Sequence, residues 1–397
     1  MPKVLRIINR FNLGGPTYNV AYLSKFMAPE FETVLVGGMK DETEDSSEFI
    51  VEQLGLKPIL IKNIQREINL VKDYKAYQEI REIIKTTKPD IVHTHASKAG
   101  TLGRLAAKSL NVPIVIHTFH GHVFHSYFGK LKTAFYKTIE RYLASQSTKI
   151  IAISNRQKEE LVEEHKIGPS QKFEVIPLGF DLNRFKENQE EKRKNFRELH
   201  AIPENAVAIG IIGRLVPVKN HKLFLKAIKH VLDFTTQPIK AFIIGDGELM
   251  NNLKLEATRV GLGYNKPGEK HPLKHLYFTS WMHDVDVAYA GLDIITLTSF
   301  NEGTPVSLIE AQASGRPVIS TNVGGIENIV AEGKTGYLVD VEKEFDFFTK
   351  LLYLVTHKTE RLKMGEQGRE EIIKKYSYDR LVNDMKNLYN SLLQNVR

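Results

Sequence analysis

The sequence predicts an α/β protein made of two doubly wound domains, and three observations carry that expectation. Its 397 residues exceed what one hydrophobic core, which stops growing at about 250–300 residues, can organise. Apolar strand-length runs alternate with helix-period segments nearly end to end, the pattern of parallel sheets with crossover helices. The alternation breaks once, at the charged stretch KENQEEKRKNFRELH, and then restarts. These observations predict an N-terminal Rossmann-like domain over 1–182, a linker with some helix over 183–200, a second such domain over 201–377 and a terminal helix over 378–397.

In the first half, strands are expected at Val4–Ile8, Thr33–Gly37, Pro58–Ile61, Asp90–His93, Pro113–His117, Ile150–Ile153 and Phe173–Ile176. Helical periodicity lies between them, as at Tyr74–Lys85 and Lys130–Ser145. In the second half, strands are expected at Val207–Ile212, Ala241–Ile244, Leu276–Phe278, Ile294–Leu297, Val318–Ser320 and Gly336–Val339. Helices are expected at His221–Leu232, Leu249–Val260, Val285–Ala290, Ser307–Ser314 and Asp346–Val355. Tyr378–Leu393 carries Leu381, Met385, Leu388, Tyr389 and Leu392 at helical spacing, so it needs a surface to lie on, and the N-terminal domain is the expected one. Two such domains facing each other would make a cleft, with ligands beyond the carboxyl ends of the strands.

Composition narrows the function classes. Apolar residues at 42% and charged residues at 26% exclude a disordered chain, a collagen and a coiled coil. The absence of cysteine excludes disulfides, a thiol nucleophile, cysteine–zinc sites and iron–sulfur clusters. MPKVLRIINR lacks the apolar core of a signal peptide, and no apolar run is long enough to span a membrane, so a cytoplasmic location is expected. The formal charge of +8 is concentrated between Lys98 and Lys149, where eight cations face Glu140 alone. That window reads either as a solvated basic face or as a surface for an anionic partner.

Three motifs follow predicted strands. Gly14-Gly15-Pro16 opens a helix; its glycines let backbone N–H groups approach an anion at a helix N-terminus, although an ordinary turn has the same composition. Gly213-Arg214-Leu215 with Lys219 offers two cations that could clamp a diphosphate and stabilise a departing nucleotide, or form only an exposed basic pair. The third is FNEGTPVSLIEA, with Glu302 in a loop and Glu310, eight residues on, in the following helix. A loop carboxylate can accept hydrogen bonds from sugar hydroxyls, and a helix carboxylate can grip both hydroxyls of a ribose. Glu310 sits on an otherwise apolar face, where an unpaired charge would be costly.

Glu302 to Glu310 forms an E-x7-E motif. Together with GIIGRLVPVKN and SFNEGTPVSLIEAQASGRPVISTNVGGIENIV it resembles the retaining glycosyltransferases of family 4, which have the GT-B fold. The GG loop, HTFHGHVF and the terminal helix fit too, so the resemblance covers essentially the whole chain and extends to capsule- and surface-polysaccharide transferases. It implies that Gly15 places its backbone against the donor diphosphate and that His120 contacts the transferred sugar. It implies further that Arg214 and Lys219 bind the diphosphate, and that Glu302, beside the Gly303-Thr304-Pro305 backbone, meets the sugar. Glu310 would hold the ribose. Trp281-Met282 occupies the loop offering backbone groups to the base, where a glycine often stands in place of Ser280. The implied reaction moves a sugar, with retention, from a nucleotide-diphospho-sugar (a UDP-sugar preferred, GDP the alternative) to a saccharide or lipid-linked acceptor, with no metal cofactor.

Other groupings have plainer readings. Asp284-Val285-Asp286 has the D-x-D spacing of manganese-dependent transferases of another fold, but Asp284 begins a helix and is expected to be an N-cap. His93, His95, His117, His120, His122 and His125 are expected to line the cleft rather than bind zinc, with His93 and His95 on one strand face. Gly245-Asp246-Gly247 lacks the Lys-Ser/Thr of a P-loop and reads as a turn. The segment Tyr127–Leu143 interleaves aromatics with Lys130, Lys132, Lys137 and Arg141, with Phe128, Leu131, Phe135, Ile139 and Tyr142 near one helix face. It is either a core helix with a wet basic edge or an interfacial surface for an anionic membrane. The competing functions are a sugar-nucleotide epimerase of similar architecture, disfavoured by E-x7-E, and a nucleic-acid-binding module, disfavoured because no binding motif accompanies the basic window.

Overall fold

Strands rich in β-branched residues without polar alternation are covered on both faces, and here they form two seven-stranded parallel sheets. The computed structural model describes residues 1–11, 15–39, 48–65, 69–120, 130–266, 269, 271 and 274–396, with the side chains of 130–132 excepted. One unit comprises Met1–Phe180 and Tyr376–Arg397, the other Asp181–Lys375. The chain is thus the expected α/β protein with two Rossmann-like sheets.

The first unit contains β1 (Lys3–Arg10), β2 (Glu32–Gly38), β3 (Ile59–Ile61), β4 (Ile91–His95), β5 (Ile114–Phe119), β6 (Lys149–Ala152) and β7 (Phe173–Val175). Their order is β3-β2-β1-β4-β5-β6-β7, so the winding reverses between β1 and β4. The helix Tyr378–Val396 returns to this unit as expected: Leu381, Val382, Met385, Tyr389 and Leu392 share a core with Val4, Leu23, Met27, Ile91 and Ile114. Gly179 has no room for a side chain, because an added Cβ would lie 2.6 Å from that of Leu381.

The second unit contains β8 (Val207–Ile212), β9 (Ile239–Ile244), β10 (Tyr264–Asn265), β11 (Leu276–Ser280), β12 (Ile294–Leu297), β13 (Val318–Thr321) and β14 (Gly336–Val339). The order β10-β11-β9-β8-β12-β13-β14 reverses between β8 and β12. β10 is two residues long and gives no sequence pattern. The helix Lys358–Tyr376 is also unanticipated, since its apolar residues are sparse. It packs through a few buried residues, Met364 and Ile372 among them, and through close backbone approach: a Cβ at Gly365 would come within 2.2 Å of the Gly315 carbonyl.

Residues 183–200 are not a linker, and here the structure corrects the expectation. The helix Gln189–Leu199 docks on the second unit by the charges that made it look solvated. Arg193 and Arg197 bond Asp293 at 2.7 and 3.3 Å, and Lys192 bonds Asp286 at 2.9 Å. Its apolar anchor Phe196 is fully buried against Gly291, where a Cβ would lie 2.2 Å from the ring.

The helix Lys130–Gln146 divides its residues differently from a core helix with a wet basic edge. Leu143 and Ala144 face the core, while Phe135 and Tyr142, expected on the same face as Ile139, are 64% and 56% exposed. Glu140 is buried on Arg104 at 2.7 Å. The basic window is also less charged in space than along the chain, because Lys98 pairs with Asp73 and Lys149 approaches Glu174.

Phe196→Ala should cost about 3–5 kcal/mol, as large-to-small changes at buried aromatics do. Urea denaturation of the intact chain checks it; an unchanged midpoint would mean that the Gln189–Leu199 helix is only loosely attached.

Candidate active site

Reversal of winding between β8 and β12 leaves a crevice at their carboxyl ends, because the loops leave toward opposite faces. The β8 loop carries Arg214 and Lys219, and the β12 loop carries Glu302. Leu215, fully buried, pins the first loop; Arg214 beside it is exposed. Pro217–Lys219 makes a single 3-10 turn, and Asn220, in the left-handed region at φ 47°, begins the helix His221–Phe234.

The structure brings Lys219 and Glu302 together: Nζ lies 2.5 Å from Oε1. Ser299 donates to the same oxygen at 2.6 Å. Thr298 donates to the Lys219 carbonyl, Thr321 to the Ser299 carbonyl, and the Phe300 N–H to the Val218 carbonyl. Gly303 is exposed, with nothing near the place of a Cβ, and Pro305 immediately precedes the helix Val306–Ala313 without a side-chain cap hydrogen bond. Ser299 was not visible as a site residue in the sequence, where it looks like an ordinary strand end.

Glu310 lies one turn into that helix, half-buried among Leu308, Ile309 and Ala311. Burial pushes its carboxyl up to about 7; Arg184 and the Tyr289 hydroxyl pull downward, and Asp286 adds to the rise. The sequence missed Arg184 and Tyr289 because both come from segments that carry no motif. Asp286 is buried against Lys192 at 2.9 Å and Arg184 at 3.9 Å, which gives the second D-x-D carboxylate a docking role. Asp284 holds the N-cap position of Val285–Gly291, yet its side chain makes no cap hydrogen bond, contrary to expectation.

The loop after β11 holds Trp281, exposed, and Met282, half-buried. Ser280 has φ 60°, the left-handed backbone that favours glycine, and its hydroxyl bonds Asp246 at 2.9 Å. Gly245-Asp246-Gly247 acts as a backing turn. Its glycines, at φ 141° and 154°, let it press against the Gly213 and Leu215 carbonyls, 2.0 and 2.6 Å from where Cβ atoms would be.

The remaining candidates belong to the first unit. Gly15 begins the helix Gly15–Phe26; a Cβ there would meet Leu178 at an ordinary 3.4 Å, so packing does not demand the glycine. Gly14, His122, His125 and Phe128 lie outside the described residues. His120 follows β5, and its Nε2 lies 2.9 Å from His95 Nδ1. Burial lowers the His120 pKa to about 4. His93 and His95 do share a strand face, their ring centroids 4.2 Å apart. Contrary to expectation, however, His93, His95 and His117 are fully buried core groups, bonded to Tyr389 and Thr118, to His120, and to Thr94 respectively. Among the described residues no cluster of His, Asp and Glu could hold a metal ion.

Residues 13–184 match the family described as Glycosyltransferase Family 4, and residues 192–371 match Glycosyl transferases group 1. The chain is 32% identical to the Escherichia coli UDP-Gal:alpha-D-GlcNAc-diphosphoundecaprenol alpha-1,3-galactosyltransferase over 86% of its own length and 85% of that protein's. It is 25% identical to the capsular polysaccharide biosynthesis glycosyltransferase CapM of Staphylococcus aureus, covering 83% and 84%. The fold is that of Anabaena HepE in complex with UDP (TM-score 0.78, 18% identity, 98% and 100% covered) and of a Rickettsia africae glycosyltransferase (0.79, 20%, 99% of both). The two sheets, the Arg214–Lys219 and Glu302–Glu310 loops and these matches agree: the chain belongs to glycosyltransferase family 4 and has the GT-B fold.

Proposed function

We propose that the protein transfers a sugar from a UDP-sugar to a hydroxyl of a lipid-linked saccharide, with retention at the anomeric carbon, in surface-polysaccharide assembly. The carrying observation is the Lys219–Glu302 pair beside exposed Arg214, at the switch point of the second sheet. Neighbouring β11, β9, β8 and β12 spread their loops over about 14 Å at roughly 4.8 Å per strand, enough for a nucleotide diphosphate laid across them. The 32% identical relative uses a UDP-galactose donor and a diphosphoundecaprenol-linked acceptor, and HepE was crystallised with UDP; both favour UDP and a lipid carrier here.

In this reading Arg214 and Lys219 hold the diphosphate, with Glu302 accepting a hydrogen bond from one of the three ammonium N–H groups of Lys219 and leaving two to donate to phosphate. Glu302, the Gly303-Thr304-Pro305 backbone and His120 orient the sugar, Gly15 presents backbone to the diphosphate, Met282 borders the base, and Glu310 grips the ribose. The bond from the anomeric carbon to the phosphate oxygen breaks as the acceptor oxygen attacks from the same face. The acceptor proton passes to the leaving phosphate oxygen. Catalysis then rests on positioning and charge stabilisation. No described helix is long and apolar enough to cross a membrane. Exposed Phe135 and Tyr142, with Arg141 between them in sequence, suit peripheral contact with an anionic membrane face.

The test is transfer from labelled UDP-sugars to a short-chain lipid-diphospho-saccharide in excess EDTA, with product stereochemistry read by NMR. A retained linkage formed in EDTA is expected. Activity only from GDP-sugars would overturn the donor assignment, inversion would overturn the mechanism, and dependence on added manganese would overturn metal independence. Arg214→Ala and Lys219→Ala should each lose about 2–4 kcal/mol of transition-state stabilisation. Arg214, being exposed, gives the cleaner kcat comparison, and near-normal turnover there would remove it from the site.

Glu310 gives a pH signature. Its folded pKa, about 7, exceeds its unfolded one, so the folded state binds more protons and stability falls as pH rises from the ordinary carboxylate range through 7. Ribose hydroxyls donate to the ionised form. Uridine affinity, measured by calorimetry, should therefore rise as pH passes about 7, and Glu310→Gln should bind more weakly with a flat profile. A flat wild-type profile would contradict the ribose role.

A further inference from the structure

One face of the first sheet carries Arg6, His93, Thr118, His95 and, just beyond β5, His120. The Arg6 guanidinium is fully buried. Its partners are His93 Nδ1 at 3.1 Å, the Tyr389 hydroxyl at 3.2 Å and Met27 Sδ at 3.4 Å, none of them an anion. An arginine only donates. His93 Nδ1 must therefore accept, and the Tyr389 hydroxyl, which accepts from Arg6, stands 2.6 Å from the same nitrogen. The proton of His93 is left on Nε2, which donates to Thr118 Oγ1 at 2.7 Å. His93 is thus fixed as one neutral tautomer by a cation and by a hydroxyl from the terminal helix.

His95 lies against this fixed ring, centroids 4.2 Å apart, and its Nδ1 lies 2.9 Å from His120 Nε2. A hydrogen bond between two imidazole nitrogens holds one proton, which either ring can supply. Among the described residues, His120 Nδ1 and His95 Nε2 then remain enclosed and without a partner. On the same side the helix Gly15–Phe26 begins after β1, so His120 stands at the carboxyl edge of the first sheet, where that unit would meet a substrate.

We propose that His95 is a positioning residue: by occupying Nε2 of His120 it fixes that ring so that His120 meets the transferred sugar through Nδ1. The proposal rests on the reading of His120 as a sugar-contacting residue. Burial keeps both rings neutral at pH 7, helped at His95 by the neighbouring His93 and Arg6, so the contact is a hydrogen bond and not an ion pair. Without His95, Nε2 would be released and the ring could turn, and a reacting geometry misplaced by about 1 Å can cost about 100-fold in rate.

The test combines imidazole nitrogen NMR of the intact, histidine-labelled chain with kinetics of His95→Leu and His95→Asn. In the ligand-free wild type, the His120 Nε2 resonance should show a hydrogen bond that His95→Leu abolishes. Adding the UDP-sugar should shift His120 Nδ1 and leave Nε2 in place. His95→Leu should lower kcat about 10–100-fold with donor KM changed less than about twofold. His95→Asn, whose side-chain amide can face Nε2, should recover most of that loss at an equal melting temperature. Movement of Nε2 on donor binding in the wild type, or equal losses of kcat in the two variants, would overturn the proposal. Should His95→Leu fail to fold, the wild-type spectra and the Asn variant still decide. Full turnover in His120→Ala would instead overturn the sugar-contact reading, and the purpose assigned to His95 with it, whether or not the ligand-free spectrum shows the bond.

Discussion

The candidate donor site depends on backbone pressing against backbone where no side chain fits. A Cβ at Gly324 would lie 1.7 Å from the Glu302 carbonyl and one at Gly325 2.2 Å from that of Gly303. On the other side, Gly245 and Gly247 touch the loop of Gly213 and Leu215 in the same way. Each reactive loop therefore has a second loop stacked behind it. With its backbone fixed, Lys219 can meet Glu302 at hydrogen-bond distance without a rigid scaffold of side chains. The stretch TNVGGIEN is in this sense as much part of the site as FNEGTP, although none of its residues need touch a ligand.

Much of this was legible because parallel sheets write themselves plainly. Strands buried on both faces appear as unbroken apolar runs, and thirteen of the fourteen strands coincide with expected ones to within a few residues. The loops at their carboxyl ends were legible too, since Gly-Arg-Leu and E-x7-E stand out against the apolar runs. What stayed hidden depended on partners distant in sequence. The charges of Gln189–Leu199 looked like solvent exposure because Asp286 and Asp293 lie about a hundred residues away. Arg6 carries no local signal of its burial, because its partners His93 and Tyr389 are 87 and 383 residues on.

The same distinction separates the two carboxylates of E-x7-E. Glu302 faces Lys219 and Ser299, so its environment follows from two loops whose motifs were visible. Glu310 answers to Arg184, from the turn Asn183–Phe185, and to Tyr289 and Asp286, from the helix Val285–Gly291. Equal in the motif, the two groups differ in chemistry because one is met by cationic and hydroxyl donors and the other is mainly desolvated.

The helix Tyr378–Val396 completes the first unit with residues made after all of the second. During synthesis the uninterrupted segment Asp181–Lys375 can therefore reach its final form while the earlier sheet still lacks part of its cover. Until Tyr389 arrives, the buried guanidinium of Arg6 has lost one of its hydrogen-bond acceptors, and the apolar patch of Val4, Leu23, Met27 and Ile91 is open to water. A ribosome-bound chain stopped before residue 378 would thus expose a sticky surface on its older half, a natural landing place for a chaperone.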